Sequence, residues 1–136
     1  MNNFFEWFFG GWRGGVVREN PLLEQSLEFA ADVIKLQIFL VKNKREFIIS
    51  KQIIRSATSI GANINEANYA ISSSDFISKM HIALKECAET EYWIKLLLKS
   101  NYISLNLYNN LINKCLSIKK MLISTLNTIK SKKTKN

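Results

Sequence analysis

The chain has 136 residues, 47% of them apolar, and a formal net charge of +8. That length is one domain with apolar residues enough for a core. One proline and five glycines, four of them at positions 10–15, leave too few turn residues for a sandwich or barrel. The apolar runs fall short of the ~20 residues a membrane span requires.

Residues 1–17, MNNFFEWFFGGWRGGVV, stand apart, crowded with aromatics and then with glycine. They lack the basic start and long aliphatic run of a secretory signal. They read either as an aromatic anchor for a partner or membrane surface, or as a disordered extension outside the fold. The expectation is the extension, with residues 18–131 forming the bundle and 132–136 a basic tail.

The first predicted helix starts at Asn20-Pro21, an N-cap followed by a proline at the first helical position. It runs to about Asn43. Leu23, Leu27, Ala30, Ile34, Ile38 and Val41 recur at three- and four-residue steps, and Phe29, Val33, Leu36 and Leu40 form an adjoining row. So broad an apolar face belongs in a multi-helix core.

A polar turn at Lys42–Arg45 precedes a second helix, about Glu46 to Ala70, with Ile53, Ala57, Ile60, Ile64 and Ala67 as its inner stripe. Gly61 lies beside that stripe. A glycine inside a helix costs about 1 kcal/mol against alanine, so a close backbone approach is its expected reason. Ser72, Ser73, Ser74 and Asp75 offer N-caps for a third helix, about Asp75 to Ser100, with Phe76, Met80, Ala83, Cys87, Ile94 and Leu97 on its apolar side. Asn101 is its stop. Ser104 caps a fourth, about Leu105 to Ser131, where Tyr108, Leu111, Cys115, Ile118, Leu122, Leu126 and Ile129 keep helical spacing. Four long helices with short turns predict an all-α fold, an antiparallel up-down-up-down four-helix bundle.

The charge is uneven. Every acid lies at or before Glu91, and residues 92–136 hold nine lysines and none. Such a segment attracts nucleic acid, an anionic membrane surface or an acidic partner; the plainer alternative is a lysine-rich solubilising surface. The lysines available for phosphate contact are Lys114, Lys119, Lys120, Lys130, Lys132, Lys133 and Lys135. They form no single stripe, because the step from Lys114 to Lys119 overshoots one helical turn by about 140°.

Reactive groups are sparse. His81 is the one histidine, with no acid a helical turn away, and reads as solvent-facing or partner-contacting. Glu86 and Glu89 share a face, but neither is followed by the histidine of a Glu-x-x-His metal motif. Cys87 and Cys115 sit among apolar residues and form no CxxC pair, which fits a reducing, cytoplasmic setting. No enzyme activity, metal or cofactor is expected. Arg55, Ser59, Asn63 and Glu66 form one polar stripe on the second helix. Lys85, Glu86, Glu89, Thr90 and Trp93 cluster on the third, where they can pair with that stripe or make a subunit contact.

Two stretches carry a family resemblance: KQIIRSATSIGANINEA (51–67) and DFISKMHIALKECAETEYWIKLL (75–97), with the opening RENPLLEQSLEFA (18–30). They resemble the bacterial four-helix-bundle proteins encoded within intervening sequences of large-subunit ribosomal RNA genes, over about residues 18–125. That family is related to the accessory variability protein of diversity-generating retroelements. The resemblance implies a homo-oligomer, a pentamer by analogy, that binds RNA or DNA through a basic surface, with a protein partner such as a reverse transcriptase. The matching positions are Arg55, Ser59, Gly61, Asn63, Glu66, Ala67, Leu84, Lys85, Glu86, Glu89, Thr90, Tyr92 and Trp93, read as packing and subunit-contact residues. The rival expectation is a protein–protein scaffold whose positive charge is incidental.

Overall fold

The computed structural model describes residues 20–134. The described residues contain four helices and no strand. These are α1 (Pro21–Lys44), α2 (Ile49–Ala67), α3 (Ser73–Lys99) and α4 (Leu105–Thr134). Successive helices pack against each other, and α1 also packs against α4. Residues 1–17, expected to be an extension, lie outside the described residues.

Local chemistry sets the helix ends. Asn20 accepts a hydrogen bond from the Leu23 N–H (3.3 Å) at the start of α1. Ser72 accepts from the Asp75 N–H (3.1 Å), while the Asp75 carboxylate accepts from the Ile71 N–H (3.2 Å). Asn20 and Ser72 thus each satisfy an N–H the helix itself leaves open, and Asp75 ties the residue before the cap to the first turn. Ser104 accepts from Leu107 N–H (3.1 Å) at α4. Asn101 ends α3 in the left-handed conformation (φ 63°), which asparagine tolerates better than most residues. Arg45 does the same after α1 at φ 52°, with no such excuse in its side chain.

Three boundaries differ from expectation by three residues, the others by no more than two, and one face differs. Glu46, expected to begin the second helix, lies before it. Its carboxylate turns back to accept from the N–H groups of Ile48 (2.9 Å), Ile49 (2.8 Å) and Ser50 (2.7 Å). That anion closes the N-terminus of α2, where the helix dipole favours it. At the other end α2 stops at Ala67, three residues before the expected Ala70, in turns closed by Asn68, Tyr69 and Ala70 N–H groups. Helix α4 continues to Thr134, past the expected Ser131.

The corrected face is on α1. Its buried row is Leu22, Ser26, Phe29, Val33, Leu36 and Leu40. Leu27 (57% exposed), Ile34 and Ile38 (46% each), expected in the core, lie on the surface. Both rows satisfy the three- and four-residue spacing. Only neighbouring helices decide between them, and α2 and α4 cover the row centred on Val33.

The other stripes lie where spacing placed them. Ile53, Ala57, Ile60, Ile64 and Ala67 on α2 are buried, as are Phe76, Met80, Ala83, Cys87, Ile94 and Leu97 on α3. On α4, Leu111, Cys115, Ile118, Leu122 and Ile129 are buried, and Tyr108 and Leu126 are half-buried. Gly61 faces Ser26 of α1. A Cβ on Gly61 would stand 3.1 Å from the Ser26 Oγ, so two small residues hold α1 and α2 close.

Candidate functional site

Buried polar groups mark the contact between α2 and α3. Thr90 falls in the core row of α3, between Cys87 and Ile94. Its hydroxyl donates to Ser56 Oγ (2.8 Å), and Ser56 donates to the Ile53 carbonyl (3.3 Å). The Thr90 hydroxyl also lies 2.8 Å from the Glu86 carbonyl, so each hydroxyl has an acceptor in its own helix and the Thr90–Ser56 contact adds a buried polar link between the two helices. Sequence spacing gives Thr90 as part of a polar cluster; Ser56 is legible only by its place three residues after Ile53, on the buried face.

Above that pair Arg55 reaches across to two carboxylates. It donates to Glu86 (3.2 Å) and to Glu89. Glu89 also accepts from the Trp93 indole N–H (3.3 Å). Further along, Lys79 pairs with Glu66 (3.2 Å). Asn63 donates to the carbonyl of half-buried Ser59 (2.8 Å), within α2. The structure therefore brings Arg55, Glu86, Glu89, Thr90 and Trp93 together inside one chain, and joins Glu66 to Lys79 instead. Lys85 is exposed and makes no ion pair among the described residues. Tyr92 is 58% exposed, with its ring edge-on to Trp93 at 5.0 Å.

Two of the α4 lysines meet carboxylates of neighbouring helices. Lys114 donates to Asp32 of α1 (2.5 Å), and this carboxylate raises the ammonium's pKa. Lys119 donates to Glu91 of α3 (2.9 Å), which Lys95 also engages (2.7 Å). The hydrogen bonds from Lys95 and then Lys119 hold the Glu91 carboxyl below its ordinary range. Lys120 and Lys130 are exposed and Lys132 is half-buried. Lys120 and Lys132 line a furrow of about 630 Å³ on the outer side of α4, with Ser124, Asn127 and Thr128 between them. Lys133 lies within α4, and Lys135 lies outside the described residues.

The remaining reactive groups are separate. His81 is exposed on α3. Cys87 and Cys115 are buried between α3 and α4 with sulfurs 3.8 Å apart, each donating to the other's backbone carbonyl. The contact with Cys87, reinforced by burial, pushes the Cys115 thiol pKa far up, so it stays protonated and packs as a small hydrophobe. Among the described residues no three His, Cys, Asp or Glu side chains group as metal ligands would, and no helix is long and apolar enough to cross a membrane.

The family model of the 23S rRNA-intervening sequence proteins matches residues 18–124, and the chain belongs to that family. It is similar to a solved structure from Bacteroides thetaiotaomicron, described as a protein of unknown function from the S23 ribosomal protein family. The two are 50% identical, with a TM-score of 0.76, over 77% of this chain and 97% of that one. No curated protein matches the chain.

Proposed function

We propose that this member of the 23S rRNA-intervening sequence protein family is a non-enzymatic, oligomeric, cytoplasmic helical bundle that binds RNA or DNA by backbone electrostatics. The observation that carries the reading is the acid-free α4, whose furrow sets Lys120 and Lys132 around hydroxyl and amide side chains. Ammonium and hydroxyl groups are the donors that contact phosphate and sugar without reading sequence. Lys119 and Lys114, held by carboxylates, contribute less to the outer field than their number implies. A relation to retroelement accessory proteins, with a reverse transcriptase as partner, extends the same reading.

The helix directions are read as up-down-up-down. Support comes from pairs that run in opposite senses: Arg55, early in α2, meets Glu86 and Glu89, late in α3, while Glu66 meets Lys79. Between α1 and α4, Gln25 meets Ser117 and the later Asp32 meets the earlier Lys114. Oligomerisation, to a pentamer by family analogy, is supported by Leu27, Ile34 and Ile38 on the outer side of α1, an apolar row that a neighbouring subunit would cover. The same row favours a second reading, a scaffold that docks another protein there.

Gel-shift titration of the full chain with structured RNA and duplex DNA tests the first reading. Binding that weakens steeply with salt is expected. No binding at low salt, or binding indifferent to salt, overturns it. Light scattering that gives a monomer mass at micromolar concentration overturns the oligomer.

A further inference from the structure

The stretch from Val33 to Asn65 contains one acid, Glu46, against six basic residues. Glu46 is 6% exposed and its carboxylate is consumed by three N–H groups of α2. What remains around the α1–α2 junction is Lys42, Lys44, Arg45 and Lys51, all exposed, and none in an ion pair among the described residues. Lys44 lies 5.9 Å over the Phe39 ring. Between the cations, Phe47 is 57% exposed and Ile48 77%. The turn that presents them is held by Glu46, whose N–H donates to the Leu40 carbonyl (3.0 Å) while its carboxylate caps α2.

With α2 and α3 running in opposite senses, as read above, Lys99 joins this end of the bundle. Ser56 and Thr90 touch; Lys51 is about 7 Å along α2 from that contact and Lys99 about 13 Å along α3 in the same direction, at 1.5 Å per residue. Lys99 is also exposed and unpaired among the described residues. Five cations and an exposed phenyl ring therefore share one pole of the molecule.

We propose that this pole is a binding site for single-stranded nucleic acid, in which the five cations hold successive phosphates and Phe47 stacks on a base. The site rests on the reading that the protein binds nucleic acid, but lies apart from the α4 furrow. A duplex would offer a blunt pole its phosphates alone, leaving Phe47 and Ile48 in water with nothing gained. An unstacked strand offers π-faces beside its phosphates, which is the combination single-strand binders use.

Fluorescence anisotropy of a labelled twelve-nucleotide oligouridine, titrated with the full chain, tests the site. Phe47→Ala is expected to weaken binding about tenfold with an unchanged salt slope, and Phe47→Trp to retain it. The double variant K42Q/K44Q is expected to lower the slope of log K against log salt by about 1.4, at about 0.7 per phosphate on a single strand. These side chains are exposed, so thermal melts should match the parent's. If K120Q weakens oligouridine binding while the pole variants leave it unchanged, the pole is wrong and the α4 reading stands. If the parent chain binds neither oligouridine nor structured RNA, both fall. If phosphatidylglycerol vesicles bind in a manner that Phe47→Ala abolishes, and oligouridine does not bind, the pole is a membrane contact and the proposal is overturned.

Discussion

The α2–α3 seam and the α1–α2 junction are both rich in charge, yet the charge does different things. In the seam Arg55 and Lys79 each meet a carboxylate from the facing helix. At the junction Lys42, Lys44, Arg45 and Lys51 meet none among the described residues, because the local acid is buried as a helix cap. A seam of paired charges specifies how the chain packs against itself. A cluster of unpaired ones contributes nothing of that kind, and under the proposal it holds a polyanion. Net charge counted along the sequence cannot tell these apart, since a cation counts the same whether or not a partner neutralises it.

That contrast can be broken at its structural side first. Gly61→Leu should be the most damaging change, because a side chain there must displace Ser26 and part α1 from α2. Overpacking of this kind costs about 1–3 kcal/mol, read from urea denaturation. An unchanged midpoint would refute the close approach. Glu46→Ala removes the acceptor of three N–H groups and should cost about 1–2 kcal/mol, the range of a strong N-cap. A loss of a few tenths would mean water caps α2 equally well. Thr90→Val deletes the buried hydroxyl contact to Ser56 and should cost about 1 kcal/mol.

Smaller effects sharpen the distinction between paired and unpaired cations. Arg55→Ala should lower stability by about 0.5 kcal/mol, as expected for a half-exposed pair screened by solvent, and leave nucleic-acid affinity alone. K42Q/K44Q should do the reverse. Should Arg55→Ala reduce affinity as much as K42Q/K44Q, the seam would have to be counted as binding surface. Glu91 gives the pH test. Its folded pKa is lowered by Lys95 and Lys119, so its contribution is complete above the unfolded carboxylate's pKa and is lost as pH falls through the lower folded value. Glu91→Gln should therefore flatten the loss of stability in acid; a curve parallel to the parent's would show that the pairs contribute nothing.

The periodic stripes of α2, α3 and α4 are legible in sequence because the residues at those steps are the ones their neighbours cover, although further apolar residues such as Ile112 on α4 are buried outside the stripe. On α1 two adjoining apolar rows read as one broad inner face, and spacing cannot say that the neighbours cover only one of them; Leu27, Ile34 and Ile38 lie outside the covered row. Asn20 and Ser104 are readable as caps because the capping side chain immediately precedes the helix, whereas Ser72 is one of four candidates that sequence alone leaves open. Glu46 is not readable as a cap, because it acts from outside the helix, three residues before Ile49, and its glutamate looks like an ordinary first-turn acid. The junction cations are hidden in the sequence for a related reason. Only after Glu46 is seen to be buried does the turn around it become a concentration of free positive charge.

The most direct measurement is the salt dependence of oligouridine binding by the intact parent chain, followed by anisotropy from low to physiological salt. A straight fall of log K with log salt is expected, with a slope of about −3.5 when five phosphates are neutralised at about 0.7 each. A flat line, or no binding even at the lowest salt, would contradict a protein whose unpaired cations exist to hold a polyanion.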